Sequence, residues 1–138
     1  MTWVAASFMA MFCFIAVALI IKRLTLTESH TEVINFYFFL LTTIVFFGLL
    51  LFKGTRLVVP PGTIKWFVVL AVVSAAANYF SVTAIRAAPN PGYVTAIRGF
   101  EAGITAIVAV TLFKSEITAT KFTGIILTIG GLILVSLA

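Results

Sequence analysis

Five long apolar runs constrain this chain more than any other feature. They cover residues 3–21, 33–52, 66–85, 93–113 and 121–137. An α-helix rises 1.5 Å per residue, so about 20 apolar residues cross the roughly 30 Å hydrocarbon core of a bilayer. Lys22, Arg23, Lys53, Lys65, Arg86, Lys114 and Lys121 stand at the edges of these runs. Cations settle there, at the level of the lipid headgroups. A membrane β-barrel would instead alternate apolar and polar residues over about ten positions. The spacing therefore predicts an all-α, polytopic membrane protein, a bundle of about five transmembrane helices forming one domain over residues 1–138.

Composition supports the same solvent. Hydrophobic residues make up 62% of the chain and charged ones 9%, where soluble domains carry about 25% charge. Mean hydropathy is +1.23. A soluble protein this small buries only about two-thirds of the surface its unfolded chain exposes. The lipid bilayer is thus the first expected partner. The net charge of +5 comes from scattered cations, so no nucleic-acid partner is expected. Cys13 is the only cysteine and His30 the only histidine. That excludes an intrachain disulfide and makes a histidine metal site improbable, and no cofactor is expected. The first run lacks a basic start and exceeds the 7–15 residues typical of a signal peptide, so a retained helix is expected. The expected location is the plasma, or inner, membrane, crossed several times.

The connections are short. Pro60-Pro61-Gly62 is a turn signal, and Pro89-Asn90-Pro91-Gly92 breaks helix continuity. No loop is long enough for a soluble catalytic module, so an enzyme is not expected. Lys53, Arg56, Lys65, Lys114 and Lys121 would fall on one membrane face, and Lys22, Arg23 and Arg86 on the other. This bias leans toward a cytoplasmic N-terminus. It is small enough to permit insertion both ways round.

The fourth run holds the candidate chemistry. Arg98 and Glu101 are three residues apart and Thr105 follows four later, so all three share a helical face. For a helix starting near Tyr93, Glu101 lies about 12 Å along the axis. A charge near mid-bilayer costs between roughly 3 and 10 kcal/mol or more. Three readings follow: a water-reachable polar cavity that binds substrate or ion, a neutralised pair packed between helices, or a span starting near Phe100 with both charges at the interface. Gly99 and Gly103 lie on the adjoining face and suit close helix approach. In the third run, Asn78 and Tyr79 need hydrogen-bond partners that lipid lacks. They would line a substrate path or join two helices. Nucleophile motifs, phosphate loops and clusters of metal ligands are absent from the sequence, so no catalytic residue and no metal site is assigned.

The stretch from Ala84 onward resembles the end of an EamA-type domain of the drug/metabolite transporter superfamily. The resemblance rests on Ala-Val-Thr-Leu-Phe-Lys-Ser-Glu116-Ile-Thr, then Lys121, Gly124 and Gly130-Gly131. It implies structural roles for Glu116, Gly124 and Gly130, the glycines in helix contacts. It also implies that this chain supplies a single five-helix repeat. Full members have ten helices in two repeats of opposite orientation, with the substrate cavity between them. The partner would be a second copy, inverted or not, a sister chain, or another half. The first run has no acidic residue, unlike the small multidrug resistance branch.

The resemblance implies a secondary transporter of small organic metabolites or drugs, working by alternating access as a dimer. Arg98 would bind an anionic group or hold Glu101, and Glu101 would bind a cation or exchange a proton. Asn78 and Tyr79 would orient the substrate. A subunit of a lipid-linked sugar flippase and a non-transporting membrane assembly protein are the alternatives.

Overall fold

The computed structural model describes residues 2–113 and 118–137. The described residues form six α-helices and no strand: α1 (Trp3–Thr25), α2 (Thr31–Lys53), α3 (Ile64–Ala87), α4 (Pro91–Arg98), α5 (Phe100–Phe113) and α6 (Ala119–Leu137). Four stretches are long and apolar enough to cross a membrane: α1, α2, α3 and the α4–α5 pair over Pro91–Phe113. α6 adds a shorter apolar stretch, Phe122–Gly131. At most 11% of any of the four spans is buried within the chain. Apolar side chains left this bare require lipid or protein around them. The protein is an all-α, polytopic integral membrane protein.

Local chemistry fixes where each helix begins and ends. Thr2 caps α1, its hydroxyl accepting from the Ala5 amide. α2 closes at Gly54, which takes the left-handed conformation (φ 61°). There Gly54 donates to Leu51 and Thr55 to Leu50, a Schellman closure that satisfies orphan carbonyls. Pro60 to Thr63 makes a type II turn. Pro61 sets the first central dihedral, Gly62 takes φ 81°, and the Thr63 amide donates to the Pro60 carbonyl. Asn90 caps α4 through its side-chain oxygen, with Pro91 in the first helical position.

The fourth apolar run is two helices where the sequence suggests one. The joint, Gly99, stays right-handed (φ −57°, ψ −22°) and donates to the Thr95 and Ala96 carbonyls. Ala102 then donates back to Gly99 itself, an i→i−3 bond that tightens the turn. The helical path therefore continues while its winding changes locally.

The helices form two compact units, Met1–Ala87 and Ala88–Ala138. In the first, α3 packs on both α1 and α2. Its core is confined to one end. Ala18, Ile21 and Thr25 form one buried stripe of α1, and the other buried residues of the unit are Val82 and Ile85 of α3 and Thr31 and Ile34 of α2. Trp3, Phe12, Phe52 and Trp66, toward the opposite ends of these helices, are exposed. In the second unit, α6 packs on α4 and α5.

Candidate functional site

In the first unit, polar groups gather at the buried end. The Lys22 ammonium donates to the Ile85 carbonyl at 3.1 Å and to the Arg86 carbonyl at 3.4 Å. The Arg86 guanidinium donates through Nη2 to the Ser29 carbonyl. Glu28, beside Ser29, holds the left-handed φ of 61°, which costs a non-glycine residue roughly 1–2 kcal/mol. The C-terminal turns of α1 and α3 are thereby tied to each other and to the α1–α2 connection. α1 and α3 must then run parallel, with α2 antiparallel between them in sequence.

Tyr79 and Asn78 lie about two turns below this end on α3. The Tyr79 hydroxyl donates to Oε1 of Glu32, in the first turn of α2, over 3.4 Å. Asn78 is half-buried, and its Nδ2 has no hydrogen-bond partner among the described residues. Asn35 on α2 donates from Nδ2 to the Thr31 carbonyl at 2.9 Å, and its buried Oδ1 also lacks a partner. An open groove of about 690 Å³ runs between α2 and α3, with Glu32, Asn35, Phe36, Thr43, Tyr79 and Phe80 among its walls. A second groove, of about 510 Å³ between α1 and α2, is lined almost wholly by apolar side chains such as Ile20, Val33 and Leu41.

In the second unit, Arg98 ends α4 and Glu101 sits in the first turn of α5. Arg98, Glu101 and Thr105 are all exposed. Gly103 is buried: a Cβ built on it would stand 2.9 Å from Ile129 Cδ1 and 3.2 Å from Ile125 Cγ2 of α6. Two residues along a helix turn the direction by about 200°. Glu101 therefore points away from the α6 contact that Gly103 makes. Gly99 is half-buried in the tightened turn. Gly124 and Gly130 face open space within the chain, with no atom within 4 Å of a built Cβ. Glu116 lies outside the described residues.

Glu32 is the residue that sequence reasoning missed. It is exposed, yet it reaches a tyrosine 47 positions away. Its place in the first turn of an apolar helix, on the same face as Asn35 and Phe36, was the available signal. Among the described residues, no group of three His, Cys, Asp or Glu side chains stands close enough to hold a metal ion.

The model of the EamA-like transporter family matches residues 1–137. No curated protein and no solved structure matches the chain.

Proposed function

This chain belongs to the EamA-like transporter family, and on that premise we propose that it moves small organic metabolites or drugs across the plasma, or inner, membrane by alternating access. The family is one of membrane transporters in the drug/metabolite superfamily, not of enzymes. The working unit in this reading is a dimer of five-helix repeats, a second copy of the chain or a sister half supplying the other repeat. Inverted pairing is the arrangement that the weak charge bias accommodates.

The observation that carries the reading is the placement of Glu101. It lies within the span-length apolar stretch Pro91–Phe113, on the face turned away from α6. An acid there is expensive in lipid and is retained where it meets water, an ion or a substrate. Glu101 binds a cation or exchanges a proton, Arg98 holds it or an anionic substrate group, and Thr105 extends the same polar stripe. In the first unit, Asn78 through its unpartnered Nδ2 and Tyr79 through its hydroxyl oxygen, which can still accept, supply orienting hydrogen bonds.

The test is flux in reconstituted vesicles, with Glu101→Gln alongside. The substitution keeps size and removes charge. Flux should fall at least about tenfold, the effect of losing a charge-assisted contact. Undiminished flux would remove Glu101 from the mechanism.

A further inference from the structure

We propose that the α2–α3 groove of the first unit binds an organic ammonium ion with an apolar body, the charged nitrogen resting on Glu32. The inference goes beyond the transport reading, since it concerns binding at Glu32 and not flux through Glu101.

Hydrogen-bond accounting along the groove gives the ligand its sign. Each of the three donors on its wall is already engaged inside the protein. Thr43 Oγ1 donates to the Phe39 carbonyl at 2.8 Å, Asn35 Nδ2 to the Thr31 carbonyl at 2.9 Å, and the Tyr79 hydroxyl to Glu32. What stays open to a ligand is an acceptor, the exposed Glu32 carboxylate; the unpartnered Oδ1 of Asn35 is buried out of a ligand's reach, and the unpartnered Nδ2 of Asn78 is not among the groove's walls. A ligand that only accepts would find no donor there. A ligand carrying N–H groups and positive charge would find the carboxylate.

Lys22 and Arg86 donate to the main-chain carbonyls of Ile85, Arg86 and Ser29. Among the described residues, Glu32 has the Tyr79 hydroxyl as its partner. Among the described residues the carboxylate therefore forms no ion pair, and it stands at one end of an apolar trough.

The trough fits the rest of such a molecule. The rings of Phe36, Phe39, Tyr79 and Phe80 line it, while Ala75 and Ala76 keep its floor low. Ring faces attract a cation within about 6 Å, more strongly when water is excluded. From Glu32 to Thr43 the α2 face runs roughly 16 Å, room for an apolar body or tail extending into the span.

The test uses the full chain in nanodiscs of zwitterionic lipid, with signal from empty nanodiscs subtracted. The probes are dansylcadaverine, which ends in an ammonium, and dansyl-aminocaproate, which shares the fluorophore and carries a carboxylate. The ammonium probe should bind saturably and at least about tenfold more tightly than the carboxylate probe. Glu32→Gln should weaken the ammonium probe by a similar factor and leave the carboxylate probe unchanged. Ala76→Phe, which fills the trough without touching a charge, should abolish the saturable signal. Equal affinity of the two probes, or binding insensitive to both substitutions, would overturn the proposal. A transport-dead Glu101→Gln protein should still bind the ammonium probe, which separates this inference from the flux mechanism.

Discussion

The Lys22 ammonium caps the last turn of α3 from across the unit, 3.1 Å from the Ile85 carbonyl oxygen. The final carbonyls of a helix have no partner within it, and the negative end of the helix dipole favours a cation. Ile85 itself is only 2% exposed, so water is a poor substitute. Lys22→Met keeps the apolar stem and removes the donor. We predict a loss of about 1.5–3 kcal/mol, the range for hydrogen bonds to charged groups. Thermal unfolding in detergent checks it. A stability equal to that of the parent would mean that water reaches these carbonyls after all.

Two glycines in the second unit should respond in opposite ways. Gly103 faces Ile125 and Ile129 of α6 at distances a side chain would violate. Ala at this position presses on the mobile Cδ1 of Ile129 and should cost about 1 kcal/mol. Leu should cost about 1–3 kcal/mol through overpacking. Gly124 has nothing within 4 Å. Gly124→Ala should be neutral or stabilising by up to about 1 kcal/mol, because glycine is a poor helix former. Destabilisation by Gly124→Ala, seen only where the protein is oligomeric, would place that face in contact with a partner chain.

The helical architecture was legible because hydropathy is a local quantity. A run of apolar residues announces its own helix, and Pro60-Pro61-Gly62 announces its own turn. The ties that position the candidate sites were not legible, because they join distant residues. Lys22 and Ile85 are 63 positions apart, and Glu32 and Tyr79 are 47 apart. Read alone, Lys22 and Arg86 are headgroup anchors, and nothing singles out Glu32. Only the parallel course of α1 and α3 brings those cations to main-chain carbonyls. Gly103, one of the two glycines whose spacing suits close helix approach, does face α6, while the i→i−3 bond that tightens the turn at Gly99 has no signature in that spacing.

The end of α2 gives a cleaner backbone test. Gly54 takes a φ of 61°, a conformation that costs other residues roughly 1–2 kcal/mol. Gly48 lies inside the same helix with open space around it. Gly54→Ala should therefore lower stability by about 1 kcal/mol, and Gly48→Ala should leave it unchanged or raise it. The comparison is made in one detergent by thermal unfolding. Equal responses at the two positions would mean that the α2 end refolds without its left-handed residue.

Membrane orientation is the last prediction, and it joins the helix ends to the charge pattern. Because α1 and α3 are parallel, the loop after α1 and the end of α3 lie on one face, and the α2–α3 connection lies on the other. Thr27→Cys and Ala87→Cys should therefore react alike with a membrane-impermeant maleimide, and Thr55→Cys oppositely, in a protein whose own Cys13 has been replaced by Ser. The cations are split between the faces, with Lys22, Arg23 and Arg86 on the first and Lys53, Arg56 and Lys65 on the second within this unit. A split so even gives the insertion machinery little to choose by. An inverted homodimer needs both orientations, so each position should then label to about half its full extent from outside intact cells and to completion after lysis. Labelling of Thr55→Cys confined to one side would exclude inverted pairing of identical chains. The dimer would then have to be built from copies in one orientation, or from this chain and a different half.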